Sequence, residues 1–383
     1  MHRIFLILLV GFACLPVFGQ FPQPTSPGSN TITTAVPFLG VNNDPVGAGM
    51  GELAVVAAPR YYGSAAQMNP ALFARDQEAF GINYTYTPWL RALGVPDMTM
   101  MDLNAFANTD RIGIGLNVRY FDLGQINITD PLGQPIGSAN PSELRLSGSV
   151  ALRITDHLSA GVGLQYFHSG LGSNGNIDPG FRGNGLNSIA ANMGVFYQKT
   201  FDISNQLSLR NSWGLSITNL GPKVTYLPDL APRDFIPINL SFGIMEGLHY
   251  QLEEEMALGF DFGIQMQKLM VPSEGGRSDL PLFRGMIGSF FDAPLTEEFA
   301  SINWQLGAEG RFEGPANSIF ALRTGAFLET AEFGNRKFMT FGASAGIIGL
   351  RLDASYIRTF SQNHPLQNTL RLALGYTFWL DKE

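Results

Sequence analysis

The sequence predicts an all-β protein, a transmembrane antiparallel β-barrel of about fourteen strands. Three observations support this fold class. Segments of about 10 to 15 residues alternate apolar positions with small or polar ones, and a period of two is that of a β-strand. The second face of these segments is rich in Gly, Ser, Asn, Gln and Arg, as a polar lumen requires. The connections alternate between short and long, which is typical of outer-membrane barrels.

The N-terminus has the pattern of a secretory signal peptide over residues 1–19. Met1-His2-Arg3 is a short basic start, residues 4–10 form an apolar run, and Val17-Phe18-Gly19 offers a cleavage site with a small residue. The alternative is a lipoprotein signal that uses Cys14, but the residues before this cysteine lack the leucine of such signals. Because Cys14 is the only cysteine, cleavage after residue 19 would leave a chain without disulfides.

Residues 20–78 separate this signal from the barrel and lack the alternation of a strand. A polar, Pro-rich leader comes first, roughly over residues 21–30. Residues 31–76 have weak periodicity and many small side chains. Strict alternation begins at Ala79, so the barrel is predicted to cover residues 79–383.

The segment 111–121 is a representative strand. Its apolar face carries Ile112, Ile114, Leu116, Val118 and Tyr120, and Gly113, Gly115 and Asn117 lie opposite. A tilted strand that crosses a bilayer needs roughly 9–11 residues, whereas strands of soluble proteins centre on about 5–6. Length therefore favours a membrane barrel over the alternative, a secreted array of β-sandwiches. The fourteen predicted strands cover residues 79–90, 99–109, 111–121, 142–155, 157–169, 186–200, 206–219, 236–250, 254–270, 298–312, 317–329, 337–349, 350–360 and 367–380.

The composition argues against other classes of protein. The net charge is −8 with only 24 basic residues, so no nucleic-acid partner is expected. Charged residues make up 15% of the chain and aromatic residues 11%, which is the opposite of a disordered protein. Beyond the N-terminus, the sequence has no run of 18 uncharged apolar residues, which a membrane-spanning helix would need.

Two motifs lie ahead of the first strand. The first contains Gly47, Gly49, Met50 and Gly51, and the second contains Asn69-Pro70-Ala71. Small residues let the backbone pass close to a wall, and Asn-Pro favours a turn. Together they resemble the glycine-rich entry and the Asn-Pro-Ala signature of the FadL-type outer-membrane barrels. In that family the N-terminal segment folds inside a fourteen-stranded barrel as a plug, so the resemblance implies a leader and plug over residues 20–78.

Two further segments resemble a narrower family. Tyr84-Thr85-Tyr86-Thr87-Pro88-Trp89-Leu90-Arg91 and Arg119-Tyr120-Phe121-Asp122-Leu123-Gly124-Gln125-Ile126 are similar to segments of the PorV (LptO) family, the FadL-like barrels of the type IX secretion system. The order of landmarks agrees over about residues 40–380. The resemblance implies a non-enzymatic protein of the outer membrane of a Bacteroidetes-like Gram-negative bacterium, surrounded by outer-membrane lipid. It also implies three partners: the translocon barrel (Sov/SprA), the C-terminal signal domains of cargo proteins, and the surface sortase (PorU).

The long connections are the expected surface for such partners. The loops 122–141, 170–185 and 271–297 carry aromatic residues among many Gly and polar ones, and aromatic anchors are enriched at protein interfaces. The candidate partner-facing residues are Phe181, Phe283, Phe290 and Phe291. The alternative function is that of true FadL proteins, the transport of hydrophobic small molecules through a lateral opening.

No catalytic, cofactor-binding or metal-binding residues are predicted. His168-Ser169 places a base beside a nucleophile, but neighbours on a strand point to opposite faces. The histidines at 157, 168, 249 and 364 lack the spacing of metal ligands. Several arginines fall on predicted lumen faces, where two alternatives remain open: they pair with carboxylates of the plug, such as Asp44 or Glu52, or they face water. These arginines are Arg119, Arg145, Arg153, Arg210 and Arg371.

Overall fold

The computed structural model describes residues 32–56, 65–74, 79–109, 111–130, 132–171, 185–226, 233–272, 280–361 and 364–379. The predicted signal peptide, the Pro-rich leader at residues 21–30, most of the loop 170–185 and Phe181 lie outside these residues. The strands are β1 (Ala79–Pro88), β2 (Thr99–Asn108), β3 (Ile112–Asp122), β4 (Ile126–Thr129), β5 (Pro135–Ala139), β6 (Ser142–Arg153), β7 (Leu158–Ser169), β8 (Leu186–Asp202), β9 (Leu207–Leu220), β10 (Asn239–Glu253), β11 (Met256–Leu269), β12 (Ile302–Gly314), β13 (Ser318–Leu328), β14 (Lys337–Ile347), β15 (Leu350–Thr359) and β16 (Leu370–Trp379).

Fourteen of these strands form one closed antiparallel barrel, in which each strand pairs with its neighbours along the chain. The barrel closes between β1 and β16, with Ala79 opposite Trp379 and Tyr86 opposite Leu372. Closure leaves no unpaired sheet edge, and an unpaired edge in hydrocarbon would expose backbone donors and acceptors with no partner. The predicted fold class is therefore confirmed.

All fourteen predicted barrel strands are present, with ends that differ by up to four residues. The largest difference is at β12, which begins at Ile302 because the preceding residues form a helix. The remaining pair, β4 and β5, forms a separate two-stranded ribbon within the connection that was expected to be a loop. Asp130 caps the turn of this ribbon, since its Oδ1 accepts from the N–H groups of Leu132 (2.9 Å) and Gln134 (2.8 Å).

The helices are short. They are α1 (Pro45–Gly49), α2 (Ala65–Met68), α3 (Leu282–Gly288) and α4 (Leu295–Ala300), with 3-10 turns at Pro37–Gly40, Pro70–Phe73 and Arg91–Leu93. Among the described residues, no helix has the length and hydropathy needed to cross a bilayer. Long and short connections occupy opposite ends of the barrel, here called the long-loop end and the short-turn end.

The two faces of the barrel wall differ as the alternation predicts. On β3, the outward Leu116 is 58% exposed, whereas the inward Asn117 is 1% exposed. Outward positions of the other strands are likewise mostly apolar, including Phe80, Leu164, Phe262 and Leu352. Inward positions are mostly buried; many are polar or glycine, and others, such as Phe167 and Met245, are apolar. The lumen is therefore filled.

We expect Leu116→Arg to reduce the folded fraction of the barrel, because an arginine near the bilayer midplane on a lipid face costs about 2–4 kcal/mol. The same substitution at Leu132, which is 85% exposed in the turn of the β4–β5 ribbon, is the matched control and should have little effect. The fraction of heat-resistant barrel on a denaturing gel measures both. Equal losses at the two positions would contradict a lipid-facing β3.

Candidate functional site

A segment that precedes the barrel strands in the sequence lies inside the barrel. This inner segment comprises residues 32–56 and 65–74, and most of its described residues are buried. Its backbone is held by inward side chains of the wall. Thr340 Oγ1 accepts from Gly51 N (2.8 Å) and donates to Gly49 O (3.0 Å). Gln265 Oε1 accepts from the N–H groups of Ala54 (3.0 Å) and Val55 (2.8 Å).

Arg119 makes the densest of these attachments. On the wall, its Nε and Nη2 donate to the two carboxylate oxygens of Asp102, at 2.9 and 3.0 Å. On the inner segment, Nη1 donates to the carbonyls of Phe38 (3.1 Å) and Val41 (2.6 Å), and Nη2 donates to Gln67 Oε1 (2.7 Å). A planar guanidinium with five donors can bridge several acceptors at once. One fully buried side chain therefore joins both parts of the inner segment to β2 and β3.

Asp102 also serves a second arginine. Arg145 lies 3.8 Å from its carboxylate, and Arg145 Nη2 donates to Asn117 Oδ1 at 2.7 Å. Asn117 in turn donates to Asn104 and, more weakly, to Asp102. Loss of the Asp102 carboxylate would leave two buried cations without their shared anion, which is a severe destabilisation in proteins.

The Asn-Pro-Ala motif anchors the second part of the inner segment. Asn69 Nδ2 donates to Val55 O (2.9 Å) and to Val195 O of β8 (3.2 Å). Asn69 Oδ1 accepts from Ala71 N at 3.1 Å and so caps the 3-10 turn that Pro70 begins. The side chain thus joins the two parts of the inner segment to each other and to the wall.

The glycine-rich motif passes very close to the wall. Gly51 has a φ of 72°, which favours glycine, and Gly49 approaches Gly342 so closely that an added Cβ would lie 3.0 Å from the Gly342 Cα. A Cβ at Gly47 would lie 2.6 Å from Leu53 O, so this position also needs a small residue. Met50 is buried against Gly307.

Wall glycines receive this backbone. A methyl group at Gly325 would lie 2.2 Å from Gly51 N, one at Gly214 would lie 2.4 Å from Val55 O, and one at Gly161 would lie 2.6 Å from Ala71 N. The contacts require inward positions with no side chain. These residues were not predicted as a set from the sequence, although Gly113 falls on the face of β3 that was predicted to line the lumen. The glycine row comprises Gly113, Gly161, Gly194, Gly214, Gly243, Gly263, Gly307 and Gly325, on β3 and on β7 to β13.

The lumen arginines use wall carboxylates more than those of the inner segment. Of the predicted pairings, Arg371 with Glu52 is present at 2.9 Å. Asp44 instead accepts from Gly47 N at 3.0 Å and caps α1, and burial raises the pKa of its carboxyl. Arg119 pairs with Asp102, as described above. Other wall pairs join Arg210 and Arg311 to Asp261, Arg323 to Glu309, and Arg351 to Asp353.

The adjacent His168 and Ser169 point to opposite faces, as expected. His168 Nδ1 lies 2.9 Å from Asn187 Oδ1, whereas Ser169 Oγ donates to the buried Glu143 at 2.6 Å. Tyr226 donates to Ser169 Oγ at 2.8 Å, and burial raises the pKa of Tyr226 to about 12. In the part of the chain that is described, no three His, Cys, Asp or Glu residues are grouped to hold a metal ion.

Apolar side chains close the long-loop end of the lumen. This apolar cap joins Val36, Phe38 and Leu39 of the inner segment to wall and loop residues such as Phe167 and Ile236. Two pockets bounded by described residues hold about 20 Å³, beside Ser159, and about 10 Å³, beside Lys268. Each has room for about one water molecule, whereas a site for a drug-sized ligand needs about 300 Å³ or more.

The connection between β11 and β12 exposes a line of large apolar side chains. They recur every four residues in the sequence, and their exposed fractions run from 63% at Ile287 to 81% at Phe291. Phe283 and Ile287 lie on α3, Leu295 and Phe299 lie on α4, and Phe291 lies in the turn between the two helices. Within each helix, the spacing of four places the pair on one face. The apolar strip comprises Phe283, Ile287, Phe291, Leu295 and Phe299.

Two of the four predicted loop residues, Phe283 and Phe291, belong to this strip. Phe290 does not: it is half-buried against the apolar cap, with Lys268 Nζ 5.4 Å from its ring centre. Ile287, Leu295 and Phe299 were missed, although their period of four was visible in the sequence. Phe181 lies outside the described residues.

The close packing at the glycine row can be tested by substitution. Gly325→Ala should lower the stability of the barrel by about 1–3 kcal/mol, because the new methyl group overlaps the backbone of the inner segment. Gly310→Ala is the matched control, since Gly310 faces outward on β12 with open space around it. The temperature at which the heat-resistant band disappears, and protease cleavage within residues 32–56, measure the effect. Equal behaviour of the two variants would contradict the close packing.

Similar solved structures include the toluene transporter TbuX of Ralstonia pickettii, at 12% identity and a TM-score of 0.44, over 88% of this chain and 98% of that one. The toluene transporter TodX of Pseudomonas putida has 11% identity and a TM-score of 0.43, over 87% and 97%. A FadL homologue of Pseudomonas aeruginosa has 13% identity and a TM-score of 0.38, over 91% and 99%. No curated protein matches this chain.

A family model described as type IX secretion system protein PorV matches residues 25–275. This match spans more than half of the sequence and includes the inner segment and the wall up to β11. It confirms the resemblance seen in the segments around Tyr84 and Arg119. The chain belongs to the PorV family of type IX secretion system proteins.

Proposed function

We propose that this outer-membrane component of type IX secretion binds the translocon barrel and shuttles cargo proteins, held through their C-terminal signal domains, to the surface sortase, without catalysing a reaction. Membership of the PorV family supports a role in secretion. The signal peptide at residues 1–19, and residues 20–78 as a leader and plug, are parts of the same proposal. So is the orientation, with the long-loop end outside the cell.

The observation that carries the proposal is the apolar strip. Five large apolar side chains on one loop are each more than 60% exposed, although such a surface is unfavourable in water. Aromatic residues that become buried on binding contribute most of the energy of protein interfaces. The strip therefore suits a protein partner at the long-loop end.

The filled lumen supports secretion over the alternative, transport of hydrophobic small molecules. Passage through the barrel would require the inner segment to leave the glycine row and Arg119 to give up its carbonyl partners. The apolar cap would also have to open. A component that binds proteins through its loops needs none of these changes.

We expect Phe291→Ser combined with Leu295→Ser to lower both recovery of the translocon with this protein and display of cargo at the cell surface, by roughly 10-fold or more. The reason is loss of two apolar anchors, which the folded barrel does not use. Leu132→Ser is the control for exposure, since it removes an equally exposed side chain from a different loop. Cargo on intact cells is measured by antibody binding, and folding by heat-resistant mobility.

The opposite outcome would assign transport instead. In that case the folded strip variant would keep its partners and cargo display, while Asn69→Ala, which frees the inner segment, would abolish both cargo display and uptake of a hydrophobic compound. Asn69→Ala is expected to change partner recovery less than the strip variant does.

A further inference from the structure

A polar row crosses the outer face of the barrel. Lys199 on β8 is paired in register with Asn211 on β9, and Asn211 is paired with Glu246 on β10. All three occupy outward positions, because their parity on each strand is opposite to that of the buried Phe196, Arg210 and Met245. The Asn211 amide donates a hydrogen bond to Glu246 Oε1. Three adjacent strands thus carry polar groups on a face that is otherwise mostly apolar.

Apart from Asn211, the neighbours of Glu246 on the outer face are apolar. Ile244 and Leu248 flank it on its own strand, and its partner in register on β11 is Phe262, which is exposed to the outside. A charged side chain on the lipid face is unfavourable, and an ionisable residue within the membrane most often marks a functional contact. Glu246 therefore needs an explanation that the fold does not provide.

Few groups of this chain offset the charges of Glu246 and Lys199. Within the described residues, Asn211 is the only group that hydrogen-bonds or ion-pairs with Glu246. Lys199 lies over the ring of Phe201, with Nζ 5.0 Å from its centre, and makes no ion pair within the same residues. An acceptor and a donor of opposite charge are thus presented two strands apart, which is about 10 Å at the usual strand spacing.

We propose that this row is a lateral docking site for a second protein of the outer membrane. The partner would present a basic or amide side chain to Glu246 and a carboxylate or carbonyl to Lys199, on its own membrane-embedded face. The inference rests on the proposed function, because a secretion component works in an assembly with other membrane proteins. It adds a contact at the side of the barrel to the contact proposed for the loops.

A second copy of this chain fits the row poorly. From Lys199, near the short-turn end of β8, the same register row continues through Phe262 to Leu370, at the long-loop end of β16. With strands tilted by about 35–45°, Glu246 is therefore about 6 Å deeper in the membrane than Lys199. A two-fold axis along the membrane normal relates groups of equal depth, so Lys199 of one copy would not meet Glu246 of the other. The acyl chains of lipids have no hydrogen-bond donor for Glu246.

The test is photocrosslinking of the full chain in its native outer membrane. The apolar Ile244, beside Glu246, is replaced by photoreactive p-benzoylphenylalanine, and Leu322 on β13 is replaced in the same way as an outward control on another face. We expect position 244 to form an adduct with a different outer-membrane protein, and position 322 to form little. The crosslinked peptide, identified by mass spectrometry, should lie in a membrane-spanning strand that carries an Arg, Lys, Asn or Gln. Glu246→Gln should reduce the adduct about tenfold.

Each other outcome overturns the proposal. An adduct of twice the mass of this chain would assign the face to a second copy, and no adduct would assign it to lipid. An adduct that is unchanged by Glu246→Gln would show that the polar row plays no part. Heat-resistant mobility confirms that each variant is folded. Cargo display in the same cells tests the proposed secretion function separately, since it can fall with the strip variant whatever the adduct shows.

Discussion

The backbone groups of the barrel wall are used by neighbouring strands, so the inner segment has to be held by side chains. This constraint explains where the polar residues of the lumen lie. Arg119, Gln265, Thr340 and Asn69 each bind two or more backbone groups, and three of them reach from the wall into the inner segment. An unpaired buried polar group costs about 1–3 kcal/mol, so these contacts hold the inner segment and the wall side chains in place.

The glycine row meets the same constraint sterically. A side chain can bind the backbone of the inner segment only if that backbone comes close, and wall glycines allow the approach. Polar attachments and glycines therefore act together, and they leave a lumen filled with protein. The interior has a structural role in this account, whereas recognition is assigned to the loops and to the outer face. Among the described residues, the apolar strip and the row from Lys199 to Glu246 are the surfaces proposed here for partners.

The sequence predicted the barrel well because its period-two alternation is local and long. It did not predict β4 and β5, which have only four and five residues. The interior was less predictable. Arg119 binds the carbonyls of Phe38 and Val41, about 80 residues away. Because every residue has a backbone carbonyl, the sequence does not show which carbonyls an arginine will bind. Phe290 and Phe291 are adjacent yet lie on opposite sides of their loop, which depends on how α3 packs against the apolar cap.

The most direct measurement of the central claim is hydrogen exchange of three amides in the native barrel. Gly51, Ala54 and Val55 donate only to wall side chains, not to a strand. If the inner segment is a fixed part of the barrel, these amides should exchange as slowly as those of β11 and β14, because both open only when the barrel unfolds. Exchange at the rate of an exposed loop would contradict the account, since it would show that the inner segment leaves the wall while the barrel stays closed.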